Sequence, residues 1–290
     1  MEKKWFVALL MVVVMMCACW TGAVADEERK TFTSGDYQYA LLDDGTVEIA
    51  GYKGSADLLA IPAELDGKAV TSIGDCAFYL CSSLTSVSIP DSVEQIGTNP
   101  FAACFELKTI SVSPEHPYFA TIDGVLFRKA DKALISYPAS ISSSTYTIPQ
   151  GITSIGDSAF FYCDSLTSVS IPDSVTSIGD EAFYSCSSLT SVNIPDSVTS
   201  IGDRAFYYCD SLTSVSIPDS VTSIGNRAFY YCDSLTSVSI PDSVTSIGDY
   251  AFGDCSNLTL TVPRNSYAAE YAKTNNIPYT YPDANDWLNN

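Results

Sequence analysis

Composition and charge already exclude several classes of protein. The chain has 290 residues, of which 46% are hydrophobic and 17% charged, and its 34 acidic against 14 basic residues give a formal net charge of −20. This is enough apolar material for a core and too little charge for a disordered chain. Because an acidic surface repels phosphates and anionic lipid heads, we expect no binding to nucleic acid or to a membrane surface.

The first 25 residues are predicted to be a secretory signal peptide. Lysines at positions 3 and 4 precede the apolar run "WFVALLMVVVMM", and the small residues "AVA" end at Ala25, which favours cleavage there. The alternative is a lipoprotein signal that is acylated at Cys19. The apolar run is shorter than the roughly 20 residues that span a bilayer, so we expect a secreted, extracellular chain of residues 26–290 without membrane insertion.

The next segment is predicted to be a capping hairpin. The stretch "YQYALLDDGTVEIAGY" has two apolar runs that meet at "DDG", which is typical of a turn between two strands. We assign residues 26–55 to this N-terminal cap.

A period of 23 residues dominates the rest of the chain, and such a period overrides ordinary domain reasoning. Leucines recur with this spacing, and a step from isoleucine or valine to proline recurs with them, which together define about nine rungs between residues 56 and 263. The leucines are Leu84, Leu107, Leu166, Leu189, Leu212, Leu235 and Leu258.

One rung, "LTSVSIPDSVTSIGDEAFYSC", is predicted to contain a strand, a turn, a second extended piece and a helical turn. Val169 and Ile171 point to one side of the strand while the serines between them point to the other. Pro172 ends the strand. Asp180 is predicted to cap a short helical turn.

Such a unit cannot bury its own apolar face, so the rungs must stack. We therefore predict an α/β repeat solenoid, right-handed and curved, with a parallel inner sheet and short helical turns on the outside.

Two regions depart from the 23-residue period. An insertion near residues 114–142 reads as a hairpin with strands near Val125 to Arg128 and Ala133 to Tyr137, and it either projects from one rung or lengthens it. Residues 264–290 form the predicted C-terminal cap and tail, in which Ser266 caps the short helix "YAAEYAKTNN".

The repeat pattern L-x-x-V-x-I-P-x-x-V-x-x-I-G-x-x-A-F-x-x-C resembles the BspA-type leucine-rich repeat, a family of bacterial surface and secreted proteins. The resemblance extends from Asp36 to about Tyr281 and includes the opening "YALLDDGTVEIAGYKG", the rung "HPYFATIDGVLF" and the closing "NSYAAEYAKTNNIPY". It implies a solenoid that binds proteins, including host matrix proteins in adhesive members, without catalytic chemistry. It transfers no particular ligand, because fold and function separate easily.

No enzyme site is predicted. The single histidine, His116, lies in the loop "PEHPY" with no nucleophile motif near it, and the chain has no glycine-rich phosphate loop. We expect no catalytic residue and no cofactor.

Two columns of repeated polar or reactive side chains have structural explanations. One cysteine per rung follows Ala-Phe, which predicts a small buried side chain rather than a metal ligand, although neighbouring rungs can pair in an oxidising compartment. Aspartates recur at positions that suit turns and caps, and the alternative is that calcium bridges the aspartates of neighbouring rungs. We expect no metal site. The cysteines are Cys81, Cys104, Cys163, Cys186, Cys209, Cys232 and Cys255.

Two surfaces are candidate binding sites. The outward residues of the inner strands form a flat polar face, and the tyrosines after the core phenylalanine form an aromatic stripe suited to interfaces. The inner-face candidates are Ser168, Ser170, Ser191, Asn193, Ser214, Ser216, Ser237 and Ser239. The aromatic stripe comprises Tyr162, Tyr184, Tyr207, Tyr208, Tyr230 and Tyr231.

The predicted function is protein binding or adhesion by a secreted, non-enzymatic repeat protein whose extended surface makes multivalent contacts. The partners are expected to be proteins, including host or extracellular-matrix proteins. Carbohydrate recognition through the tyrosines and a passive structural scaffold are the alternatives.

Overall fold

The computed structural model describes residues 30–282 as a β-solenoid of about ten turns, close to the nine rungs expected. The predicted signal peptide, Cys19 and the last eight residues of the tail lie outside the described residues. Strands from successive turns pair side by side, so equivalent residues of neighbouring rungs lie next to one another.

The N-terminal part contains three antiparallel hairpins and the first regular turns. Its strands are β1 (Thr31–Ser34), β2 (Tyr37–Leu41), β3 (Val47–Tyr52), β4 (Leu58–Ala60), β5 (Glu64–Leu65), β6 (Lys68–Ile73), β7 (Ser86–Ser88), β8 (Gln95–Ile96) and β9 (Thr109–Ser111). β1, β2 and β3 pair antiparallel in succession. β3, β6 and β8 then pair in parallel, while β4, β7 and β9 form a second parallel sheet. The hairpins thus cover the first edge of the stack.

The remaining strands belong to the insertion and to the regular array. They are β10 (Phe119–Ile122), β11 (Val125–Arg128), β12 (Ala133–Ser136), β13 (Thr145–Thr147), β14 (Ser154–Ile155), β15 (Ser168–Ser170), β16 (Ser177–Ile178), β17 (Ser191–Asn193), β18 (Ser200–Ile201), β19 (Ser214–Ser216), β20 (Ser223–Ile224), β21 (Ser237–Ser239), β22 (Ser246–Ile247), β23 (Thr259–Thr261) and β24 (Tyr279–Thr280). The helix α1 (Tyr267–Thr274) lies between β23 and β24.

Two parallel sheets run along the array. One contains β13, β15, β17, β19, β21, β23 and β24, and the other continues from β12 through β14, β16, β18, β20 and β22. The predicted insertion hairpin is present as β11 and β12, and it lengthens the solenoid rather than projecting from it, since β12 pairs in parallel with β14. The parallel sheet expected from the sequence is confirmed.

Identical side chains from each rung stack into the core. The phenylalanine column is the clearest case: Phe183 and Phe206 have ring centroids 5.1 Å apart and planes 5° from parallel, and Phe206 and Phe229 repeat this geometry at 5.1 Å and 4°. All three rings are fully buried. Val169 and Ile171 also point inward as predicted, with 3% and 7% of their surface exposed.

The predicted helical turns are wrong. The segment after Gly179 forms consecutive turns, because Glu181 and Ser185 both have left-handed backbone conformations, with φ of 56° and 55°. Some amides of this segment bond to the next rung and others bond within their own rung. Phe183 N–H donates to the carbonyl of Ala205 in the next rung at 2.7 Å, whereas Cys186 N–H donates to the carbonyl of Phe183 in the same rung at 3.2 Å. These bonds between rungs replace the i→i−4 bonds of a helix.

The C-terminal end is closed by α1. Ser266 is its N-cap, as predicted, with its hydroxyl accepting a hydrogen bond from the Ala269 amide at 3.1 Å. Ala268 and Ala272 are buried, and the ring of Tyr271 packs edge-on against Phe252 of the last phenylalanine position. The helix therefore covers the last phenylalanine ring of the stack.

Candidate functional site

The predicted inner-face residues lie together on one surface, which we call the serine face. They flank the buried valines of β15, β17, β19 and β21, and all are exposed except the half-buried Ser168. The register is exact: Ser168 pairs with Ser191, and Ser170 pairs with Asn193. The same pairing continues to Ser214 and Ser216, and then to Ser237 and Ser239.

The threonines beside the serine face are already used for structure. The hydroxyl of Thr190 donates to the backbone carbonyl of Thr167 in the preceding rung at 3.0 Å, and Thr213 donates likewise to Thr190 at 3.0 Å. These bonds tie neighbouring rungs together, so the small serine and asparagine side chains carry the free polar groups. A face of this kind offers many hydrogen bonds and no large anchor.

The tyrosines of the aromatic stripe form two stacked columns. In the first, Tyr184 and Tyr207 are 4.9 Å apart at 9°, and Tyr207 and Tyr230 are 5.3 Å apart at 12°. In the second, Tyr208 and Tyr231 are 4.6 Å apart at 22°. All of these rings are half-buried. Tyr162 begins the second column, but the next rung has the buried Ser185 in that position.

Stacking leaves the edges of the rings, rather than their faces, towards solvent. Tyr207 has a neighbouring ring on both sides. Tyr230 has Tyr207 on one side and the backbone of Gly253 on the other, where an added Cβ would lie 2.6 Å from the tyrosine ring. A sugar ring needs a free aromatic face, and these two residues offer none.

Two arginines that were not among the predicted site residues lie beside the tyrosines of two successive rungs. Arg204 and Arg227 occupy the same position in successive rungs, three residues before Tyr207 and Tyr230. Burial raises the pKa of Tyr207, and the positive charges of Arg227 and Arg204 oppose that rise, as expected for guanidinium groups near the hydroxyl. The visible signal was their 23-residue spacing. We call the following six residues the Tyr–Arg patch: Arg204, Tyr207, Tyr208, Arg227, Tyr230 and Tyr231.

The two arginines differ in their ionic partners. Arg204 pairs with Glu181 of the preceding rung, with 3.0 Å between Nη1 and Oε1. Arg227 is exposed, and across residues 30–282 no carboxylate lies within ion-pair distance of it. Arg227 is therefore available to an acidic group of a partner.

The cysteine column is structural. Cys209 is fully buried, and its thiol donates to the backbone carbonyl of Phe183 in the preceding rung at 3.2 Å; Cys232 does the same to Phe206 at 3.2 Å. Burial raises the pKa of both thiols. All the cysteines in the described part of the chain are free thiols.

One aspartate column bonds successive rungs instead of capping helices. Oδ1 of Asp157 accepts from the amide of Asp180 at 2.9 Å, Asp180 accepts from Asp203 at 2.7 Å, and Asp203 accepts from Asn226 at 2.7 Å. Within residues 30–282 no group of three or more histidine, cysteine or acidic side chains is arranged to hold a metal ion.

His116 is a buried structural residue. Its Nδ1 accepts hydrogen bonds from the amides of Tyr118 and Phe119, both at 3.2 Å, so Nε2 carries the proton and donates to the carbonyl of Pro90 at 3.1 Å. Burial lowers its pKa below 6.5. Both ring nitrogens are thus occupied by backbone groups.

A cavity of about 170 Å³ lies where the insertion meets the array, beside Asp75, Arg128 and Asp157. It contains no residue of the serine face or of the Tyr–Arg patch. In the part of the chain from residue 30 to residue 282, no helix has the length and apolar character required to cross a bilayer.

Comparison with solved structures identifies the same architecture in bacterial proteins. A leucine-rich cell surface protein from Faecalibacterium prausnitzii is 25% identical, with a TM-score of 0.58 over 86% of this chain and 98% of that protein. A leucine-rich repeat protein from Eubacterium ventriosum is 21% identical, with a TM-score of 0.63 over 80% and 84%. The pneumococcal vaccine antigen PcpA is 16% identical, with a TM-score of 0.60 over 88% and 98%. The last two show similarity of fold alone.

No curated protein sequence is significantly similar to the chain. The profile of the BspA type leucine-rich repeat region, by contrast, matches six copies over residues 62–142 and 135–259, which together make up more than half of the chain. Proteins of this family are generally non-enzymatic binding or scaffold proteins of the bacterial surface or of the secreted fraction. The chain belongs to the BspA-type leucine-rich repeat family.

Proposed function

We propose that this protein is a secreted, non-enzymatic binding protein that engages other proteins through its extended repeat surface. The observation that supports the proposal most is the register of the rungs: Ser191, Ser214 and Ser237 are direct neighbours across paired strands, as are Tyr207 and Tyr230 on another side. A surface that presents the same groups at each rung suits several weak contacts made at once.

The similarity to surface proteins supports an extracellular location. In this proposal, residues 1–25 direct export and are removed after Ala25, and residues 26–290 act outside the cell. Lipid attachment at Cys19 is the alternative form. Mass spectrometry of the protein recovered from cells that express the full chain distinguishes the two, since a lipidated product retains residues 19–25.

The test of function is direct capture. Residues 26–290 are immobilised and exposed to a panel of purified extracellular-matrix and host-surface proteins, and in parallel to a glycan array. We expect saturable binding to at least one protein. If the protein binds glycans alone, and a variant with Tyr207→Ala and Tyr230→Ala no longer does so, its function is carbohydrate recognition. Failure to bind either panel would favour a passive scaffold.

Carbohydrate recognition is the weaker reading. It needs an exposed aromatic face, and the rings of Tyr207 and Tyr230 are covered by their neighbours along the column. The edges of these half-buried rings are suited to contacts with polypeptide.

A further inference from the structure

We propose that the Tyr–Arg patch is the anchor of the binding surface and that it docks an acidic peptide segment of a partner protein. The inference rests on the proposed protein-binding function and assigns to it a face and a ligand chemistry. It places the strongest contacts away from the serine face.

Positive charge in the regular array is confined to the Tyr–Arg patch. Residues 143–263 contain thirteen aspartates and glutamates, and their only basic residues are Arg204 and Arg227. Both arginines fall in the same position of successive rungs, and 39% of the Arg204 side chain is exposed. Arg204 is already paired with Glu181, so Arg227 carries the attraction for an acidic partner. An acidic segment is repelled by the rest of the array and attracted by the Arg227 guanidinium, which sets where the segment docks. Guanidinium groups pair well with carboxylates.

The aromatic rings of the patch form a rigid surface of a kind that is common in protein interfaces. Tyrosine and arginine are enriched among the residues that dominate the binding energy of interfaces. Here Tyr208 and Tyr231 stack at 4.6 Å, and the ring of Tyr230 lies edge-on to Tyr231, also at 4.6 Å. The rings hold one another in place, so little side-chain freedom is lost when a partner binds. Their outward edges suit apolar groups of a peptide, whereas the Tyr230 hydroxyl is already hydrogen-bonded to Asp254.

The patch has definite ends along the solenoid. In the preceding rung, the three equivalent positions are Glu181, Tyr184 and Ser185; in the following rung they are Tyr250, Gly253 and Asp254. Only the two middle rungs combine arginine with two tyrosines. Neighbouring rungs are about 5 Å apart, so these two rungs form a compact site. Its size suits a short segment of extended chain rather than a whole domain.

The test uses residues 26–290 and a random 12-residue peptide library displayed on phage. Peptides selected on the wild-type protein are sequenced, and their affinity is measured for three variants. The patch variant carries Tyr208→Ser, Tyr231→Ser and Arg227→Glu, each with a precedent in the chain, because Ser185 and Glu181 occupy the same positions one rung or two rungs away. A serine-face variant carries Ser214→Ala and Ser237→Ala, and a conservative variant carries Arg227→Lys.

We expect the selected peptides to be enriched in aspartate and glutamate and to bind the patch variant at least tenfold more weakly. Binding to the serine-face variant stays within about twofold of wild type, the lysine variant lies in between, and added salt weakens binding to the wild type. Circular dichroism and the melting temperature confirm that each variant folds.

Three results would overturn the proposal: selected peptides without acidic residues, peptides lost only in the serine-face variant, or no selected peptide at all. None of these results contradicts the proposed function, because the capture of a protein from the purified panel is measured in a separate experiment that uses no peptides.

Discussion

The Oδ1 atom of Asp180 accepts a hydrogen bond of 2.7 Å from the backbone amide of Asp203, which lies one 23-residue repeat further along the chain. The same bond joins Asp157 to Asp180 and Asp203 to Asn226. A carboxylate in this column therefore supports the next rung. It also lies close to the carboxylates of its neighbours, and that proximity has a measurable effect on stability.

Replacing Asp180 by asparagine is expected to stabilise the protein at pH 7. Partial desolvation of the Asp180 carboxylate raises its pKa above 3.8, and the charges of Asp157 and Asp203 add to the rise. The hydrogen bond from the Asp203 amide and the charge of Arg204 oppose it. Because the folded state holds this proton more tightly than the unfolded state, wild-type stability falls as the pH rises from 3.8 through the raised pKa. Asparagine keeps the acceptor without the charge, as Asn226 does for the Asp249 amide at 2.9 Å.

Urea unfolding of wild type, Asp180→Asn and Asp180→Ala between pH 3.5 and 7 measures the effect. The advantage of asparagine should disappear towards pH 3.5, and alanine should be less stable than asparagine by about 1 kcal/mol at pH 7 because the acceptor is lost. An advantage of asparagine that does not vary with pH would contradict the assignment.

Removing one ring from the phenylalanine column is expected to be strongly destabilising. Phe206 is fully buried between Phe183 and Phe229, so Phe206→Ala leaves a cavity in the core. The free energy of unfolding should fall by about 3–5 kcal/mol, and by less for Phe206→Leu. Ser214→Ala on the serine face is the control and should change stability by less than about 0.5 kcal/mol. Equal effects at Phe206 and Ser214 would rule out the stacked core.

Acid should destabilise the protein through His116. Burial lowers the pKa of this histidine below 6.5, so the unfolded chain takes up a proton that the folded chain refuses. The free energy of unfolding should therefore decrease as the pH falls from about 7.5 to about 5.5. His116→Leu should be less stable at pH 7.5 and should show a weaker dependence on pH in this range. The same slope in both proteins would contradict a buried neutral histidine.

The cysteines should differ sharply in reactivity. Cys209 and Cys232 are fully buried with raised thiol pKa values, whereas Cys255 is half-buried and the hydrogen bond with the Cys232 thiol lowers its pKa. Iodoacetamide at pH 8 should alkylate Cys255 before Cys209 and Cys232, since the thiolate is the nucleophile. Peptide mass spectrometry follows the sites, and unfolding in urea should make all three react alike. Uniform reactivity in the folded protein would exclude the buried column.

The strand positions and the core could be predicted because they depend on a local pattern. Alternation in "LTSVSIP" is enough to place Val169 and Ile171 inside, and proline ends the strand whatever the neighbours do. The turns could not be predicted in the same way. Nothing local forbids a helix in "DEAFY", and the left-handed conformations of Glu181 and Ser185 are imposed by backbone bonds to the next rung.

The candidate site was predictable in composition but not in geometry. The repeated tyrosines mark an aromatic surface, yet only the rung spacing determines that Tyr207 is covered on both faces. The two arginines were visible as the only basic residues among thirteen acidic ones between residues 143 and 263. The role proposed for them depends on their position beside the tyrosine columns in three dimensions.

Deletion of one rung tests whether the protein binds its partner through an extended, multivalent surface. Removing residues 165–187 takes out one complete 23-residue repeat and joins Asp164 to Ser188, which keeps the register. The six residues of the Tyr–Arg patch are retained, while Glu181, the ion-pair partner of Arg204, and Tyr184, which stacks on Tyr207, are removed. The affinity for a protein captured in the panel is then measured for the deletion and for wild type, both as residues 26–290. We expect a folded protein whose affinity falls by roughly three- to tenfold, because one of several linked contacts is removed. Complete loss of binding by a folded deletion protein, or no change at all, would contradict a multivalent surface.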